Sequence, residues 1–170
     1  KKIIWHHHED QPADARAFCM NKDRLFIFRF GEYLSCLDTK TGKELWRKTS
    51  QANPEFFEGM GKYLKRQGWE TNWRTAVYLK CSDKALYFAG PQISKLLALS
   101  TEDGRILWEN KYNNYQLVLR DDGLYGISGP WGNDRSARFD PLTGAELARI
   151  HIGRRACTRS TGSIDSIFLR

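Results

Sequence analysis

Short apolar runs, each closed by a polar turn, recur along the whole chain. The clearest instance is Cys36 to Trp46. An apolar run ends at Asp38, a polar turn from Thr39 to Lys43 carries Gly42, and a second run ends on Trp46. The pattern returns from Ala98 to Trp108, with Ser100 in the Asp position and Gly104 in the turn. A weaker copy runs from Arg138 to Ala148, with Gly144 in the turn and Ala148 in the Trp position. The chain opens on the tail of a copy, Lys2-Ile3-Ile4-Trp5. Each copy reads as strand, tight turn, strand. The Gly permits positive φ in the turn. The Asp or Ser before it accepts backbone N–H bonds. The Trp buries a large flat ring while its N–H seeks a partner.

The four equivalent positions, Trp5, Trp46, Trp108 and Ala148, are spaced by 41, 62 and 40 residues. A period of roughly 40 residues is that of a four-stranded propeller blade, so the pattern predicts an all-β propeller segment. The long interval holds one period plus about 21 residues, which places a single insertion after Trp46. Strands are expected at 15–20, 24–30, 33–38 and 44–48, then at 76–81, 85–89, 96–100 and 106–109. A third set follows at 115–120, 124–127, 136–140 and 146–150. The apolar run Leu25 to Phe28 suits a strand buried on both faces. The chain then divides as follows: 1–5, the last strand of a blade; 15–48, a blade; 50–75, the insertion; 76–112 and 115–152, two blades; 156–170, half of another. Within the insertion, Pro54 to Met60 predicts a short helix with Asn53 as its cap.

The stretches CLDTKTGKELW and ALSTEDGRILW, with RFDPLTGAELA as a copy lacking the Trp, resemble the tryptophan-docking repeat of the pyrroloquinoline-quinone (PQQ) repeat propellers. The resemblance extends over nearly the whole chain. It implies the propeller fold, with Trp5, Trp46, Trp108, Gly42, Gly104 and Gly144 as structural docking residues. It also implies a periplasmic or secreted setting. Both quinoprotein dehydrogenases and non-catalytic propellers carry the repeat, so it implies PQQ and calcium as cofactors only for the former. The run from Arg154 to Phe168 is similar to a stretch of large PQQ-repeat proteins of planctomycete-type bacteria. That likeness implies a segment of a longer chain whose remaining blades complete the ring.

Composition narrows the alternatives. Hydrophobic residues make up 41% and aromatics 13%, enough for a sheet core rather than disorder. No apolar run reaches the length of a membrane span. The net charge is +7, but Lys and Arg are spread along every strand, which argues for a basic solvated surface rather than a nucleic-acid patch. Cys19, Cys36, Cys81 and Cys157 form no CxxC pair, so zinc-ribbon, thioredoxin-like and c-haem readings fail. Cys19, Cys81 and Cys157 fall on first strands near the propeller axis, where small core residues are expected. In the connection after Trp5, an extended backbone puts His6 and His8 on one face and His7 on the other. His6 and His8 are therefore the candidate metal ligands, with Glu9 or Asp10 as helpers.

The expected register also sorts the loops. The turns at 21–23, 39–43, 82–84 and 101–105 are short and share one face. The segments 6–14, 50–75, 90–95 and 129–135 are long and share the other. Loops elaborated on a rigid scaffold carry binding. Trp69, Trp73, Arg74, Trp131, Asn133, Asp134 and Arg135 are accordingly the candidate contacts for a protein or glycan partner. No catalytic residue is assigned. The chain lacks the adjacent cysteines of the quinoprotein enzymes, and Ser160 to Ser163 near His151 contains no nucleophile elbow. The primary reading is a non-catalytic binding scaffold, and the alternative is part of a PQQ-dependent dehydrogenase.

Overall fold

The computed structural model describes residues 2–10, 13, 17–58, 60, 77–90, 93, 95–111, 115–129, 135–151, 160–163 and 166–169. They form three four-stranded antiparallel sheets and a two-stranded one, the arrangement of successive propeller blades. The first blade contains β1 (Phe18–Asn21), β2 (Arg24–Arg29), β3 (Tyr33–Asp38) and β4 (Glu44–Thr49). A one-turn helix, α1 (Pro54–Phe57), follows. The second blade contains β5 (Tyr78–Cys81), β6 (Ala85–Ala89), β7 (Leu96–Ser100) and β8 (Ile106–Asn110). The third contains β9 (Tyr115–Arg120), β10 (Gly123–Ser128), β11 (Ala137–Phe139) and β12 (Glu146–Arg149). Strands β13 (Ser160–Gly162) and β14 (Ile167–Leu169) pair as a hairpin.

In every blade the strands pair in chain order, so each connection within a blade is a hairpin. First strands pack side by side from one blade to the next, β1 on β5, β5 on β9 and β9 on β13. The middle strands carry most of the burial. β6 (ALYFA) and β7 (LLALS) are inaccessible along their full length, because both faces of the sheet meet a neighbouring blade. The core therefore lies between sheets. Phe26, Phe28, Leu34 and Cys36 of the first blade pack with Leu79, Leu86, Phe88, Leu97 and Leu99 of the second. Tyr87, Ala98 and Trp108 of the second pack with Leu117, Leu124 and Phe139 of the third.

Of the helix expected from Pro54 to Met60, the part over Pro54–Phe57 forms, and Asn53 makes no side-chain cap bond. What holds α1 is burial. Phe56 and Phe57 stack edge to face at 4.7 Å, and Phe56 lies 5.3 Å from Phe88 of the second blade. A four-residue helix is too short to persist without such packing. Lys2 to Trp5, expected as the outer strand of a preceding blade, has no strand pairing, and Ile3 and Ile4 lie exposed. Trp5 is nonetheless placed as its motif requires.

Candidate functional site

The repeat residues form a repeated joint between blades. Each Trp reaches out of its own blade onto the turn of the next. Trp5 Nε1 donates to the Thr39 carbonyl at 2.7 Å, Trp46 Nε1 to that of Thr101 at 3.1 Å, and Trp108 Nε1 to that of Pro141 at 3.1 Å. The accepting carbonyl always belongs to the residue just after Asp38, Ser100 or Asp140. The indole then lies against the turn glycine. A Cβ on Gly42 or Gly144 would come within 2.6 Å of the Trp ring, and one on Gly104 within 2.9 Å. These glycines have φ of +71°, +73° and +71°, so both backbone conformation and close approach demand Gly.

The turn itself is held by the residue that opens it. Asp38 Oδ1 accepts from the amides of Lys40 and Thr41 and from the Thr41 hydroxyl. Asp140 Oδ1 accepts from the amides of Leu142 and Thr143, and Ser100 Oγ from that of Glu102. Gly42, Gly104 and Gly144 each donate back to the carbonyl of the residue opening the turn. The Thr41 hydroxyl and the turn amides hold the Asp38 carboxyl below the usual carboxylate range. Ser100 supplies one such acceptor with no charge, so the substitution keeps the turn.

A β-bulge in each outer strand aims the Trp. Cys36 pairs with Trp46 but Leu37 with Glu44, leaving Leu45 as the extra residue. Ala98 pairs with Trp108 but Leu99 with Ile106, leaving Leu107 extra. The third blade has the same bulge at Leu147, before Ala148. Bulges bend the strand and redirect the next side chain. In the third blade the bulge persists without a Trp to aim. The layer there is polar: Tyr125 donates to Asp122 at 2.6 Å, and Arg120 and Arg138 pair with the same carboxylate.

Two other polar assemblies occur. On the outer side of the first blade, Arg47 donates to both Glu9 oxygens at 2.9 and 3.0 Å and to Glu44 at 2.7 Å. Its guanidinium lies 4.3 Å above the Tyr33 ring, and His7 Nε2 is 2.9 Å from Glu9. Burial works to raise the Glu9 carboxyl, but the bonds from His7 and Arg47 outweigh it and hold the group low. The cluster clamps the connection after Trp5 onto β4. Alternation along the connection exposes His6 and His8, as an extended backbone requires, and turns His7 inward. Sequence reading passed over His7 and Arg47, although the same alternation already set His7 apart.

The second assembly is a cavity of about 590 Å³ on the short-turn face. Asn21, Ser82, Asp83, Lys84, Arg120 and Asp121 bring mixed charge to its rim, while Cys81, Tyr87, Leu119 and Pro141 bring apolar surface. Asp83 accepts from Asn21 and pairs with Lys22, which binds the turns of the first two blades together. The cavity is therefore opposite the face that loop length favours. Of the candidate partner contacts, Arg135 is exposed, and its carbonyl accepts from Tyr115 at 2.9 Å. Trp69, Trp73, Arg74, Trp131, Asn133 and Asp134 lie outside the described residues, as does Cys157. Among the described residues, no group of three or more His, Cys, Asp or Glu is placed to hold a metal ion.

The fold is shared with solved structures of low sequence identity. The chain is similar to BamB from Moraxella catarrhalis, with a TM-score of 0.54 at 12% identity over 78% of this chain and 35% of that one. It is also similar to the computationally designed Ika4 protein, with a TM-score of 0.60 at 11% identity over 95% of this chain and 84% of that one. The designed Ika8 protein gives 0.59 at 12% identity, over 88% and 40%. The chain thus spans about a third of the length of the natural relative. No curated protein matches the sequence. A family model described as outer membrane protein assembly factor BamB matches residues 2–124, from the first docking Trp through the start of the third blade. By that match and by the docking joints it spans, this chain belongs to the BamB-like family of PQQ-repeat β-propellers.

Proposed function

We propose that this chain is a non-catalytic binding scaffold, a propeller segment of a secreted or periplasmic PQQ-repeat protein. Its partner is a protein or glycan seated on the face that carries the segments 50–75, 90–95 and 129–135. Trp69, Trp73, Arg74, Trp131, Asn133, Asp134 and Arg135 are the proposed contacts. The observation that carries this reading is how the motif residues are used. Asp38, Gly42, Trp46, Ser100, Gly104, Trp108, Asp140 and Gly144 are all engaged in joining blades, and none is left facing a site. The match to a family described as an outer membrane protein assembly factor supports a protein partner.

The alternative, part of a PQQ-dependent dehydrogenase, needs PQQ and calcium, and among the described residues no group of three or more His, Cys, Asp or Glu is placed to hold a metal ion. The test is a titration of the full chain with PQQ in the presence of calcium, read by quinone absorbance and Trp quenching. No saturable binding is expected at tens of micromolar cofactor. Saturable binding that disappears when calcium is chelated would overturn the scaffold reading in favour of a quinoprotein dehydrogenase.

A further inference from the structure

Two cysteines from different blades meet across the joint near the inner strands. Cys19 lies on β1 and Cys81 at the end of β5, separated by 62 positions in the chain, and their Sγ atoms are 2.9 Å apart. Neither strand is hydrogen-bonded to the other, so no backbone ladder dictates this contact. It comes from the packing of β1 against β5. The separation is within about 1 Å of a disulfide bond, which is about 2.05 Å. Core packing alone does not need two sulfurs at that distance.

The pair differs from Cys36, which is fully buried in the same apolar cluster. Cys19 and Cys81 are half-buried, and Cys81 also lines the short-turn cavity, which gives a small oxidant access. We propose that Cys19 and Cys81 form a reversible inter-blade disulfide that locks the first two blades together.

The chemistry is thiol–disulfide exchange with a disulfide carrier such as glutathione disulfide. Cys19, as thiolate, attacks one carrier sulfur. A new S–S bond joins Cys19 to half the carrier, and the other half leaves as a thiolate. Cys81 loses its proton, attacks Cys19 Sγ and displaces the second half. Two protein thiols are oxidised by two electrons, the carrier is reduced to two thiols, and the two protein protons end on them. The contact between the two sulfurs favours a thiolate on one of the pair, and the Lys80 charge acts to lower both thiols.

The full chain is equilibrated in a glutathione redox buffer, the remaining thiols are alkylated, and the protein is digested and mapped without reduction. Two of the four thiols should disappear on oxidation, and the Cys19 and Cys81 peptides should appear as one linked species that separates on reduction. The variant C36S should still form the link. C19S should leave Cys81 unlinked, and C81S should leave Cys19 either alkylated or carrying glutathione. The proposal is overturned if both cysteines of the wild-type chain remain alkylated in the oxidising buffer. A link from either to Cys36 or Cys157, or glutathione retained on Cys19 without ring closure, overturns it equally.

Discussion

Replacing Gly144 by alanine probes the blade joint from its turn side. Gly144 holds φ of +73°, which costs an L-residue about 1–2 kcal/mol. The added Cβ would also lie 2.6 Å from two ring atoms of Trp108. The indole has no easy retreat. Tyr87 packs beside it at 6.2 Å, and its Nε1 is bonded to the Pro141 carbonyl, which also accepts from the Tyr87 hydroxyl. Relief therefore means undocking the ring, at about 1 kcal/mol for the hydrogen bond plus part of its buried surface. Gly144→Ala should cost about 3–5 kcal/mol in all, and Trp108→Ala a similar amount, as buried Trp truncations do. Once Trp108 is absent the clash vanishes and only the backbone cost of about 1–2 kcal/mol remains. The double-mutant cycle should thus show a coupling of about 1.5–3 kcal/mol. Urea unfolding of the four proteins followed by far-ultraviolet circular dichroism measures it. Gly31→Ala is the control: φ is +70° with nothing within 4 Å of the added Cβ, so only the backbone term should appear. If the two substitutions add to within about 0.5 kcal/mol, the indole does not bear on the turn and the account of the joint fails.

The proposed Cys19–Cys81 bond closes a long loop, and chain entropy predicts a gain of roughly 4 kcal/mol for the oxidised form. Comparing urea midpoints with and without dithiothreitol checks this, and equal midpoints in a chain mapped as oxidised would contradict it. Acid should weaken the joints through Asp38 and Asp140. Their carboxyls are held low in the fold, Asp38 by the Thr41 hydroxyl and amide and Asp140 by the amides of Thr143 and Leu142. A depressed folded-state value gives stability that is present above the unfolded pKa, about 3.9, and is lost as pH falls through the lower folded values. Urea midpoints taken from about pH 6 to about pH 2.5 should fall for the parent chain and fall less for Asp38→Asn/Asp140→Asn. An unchanged acid slope in the double variant would remove these turns from the acid response.

The joint was legible because its parts are local. Gly42 and Gly104 stand at a fixed offset from an Asp or Ser and from a Trp, and the offset itself encodes a turn followed by a strand. The short turns at 21–23, 39–43, 82–84 and 101–105 were legible for the same reason, since hairpin lengths follow from strand ends. The short-turn cavity was not. It arises where the turns of three blades converge, and no one turn announces that in its composition. The His7–Glu9–Arg47 cluster joins residues 38 positions apart, so only half of it, the alternation of the three histidines, could be read in advance.

The repeat, the strand and turn order, the all-β architecture and the identity of the docking Trp and turn Gly residues could all be read from the chain. These follow from period, alternation and turn chemistry, each contained within a few residues. Which Trp docks on which Gly could not be read there: Trp5 meets Gly42, Trp46 meets Gly104 and Trp108 meets Gly144. That a bulge at Leu45, Leu107 and Leu147 turns each outer strand toward its neighbour emerges from the assembled sheets. Blade packing also placed the polar layer around Asp122, where Ala148 stands for Trp, and brought Cys19 against Cys81. The physical reason is the same in each case. Packing between sheets joins residues that hydrogen bonding along a strand never relates, and its geometry belongs to the assembled blades rather than to any one of them.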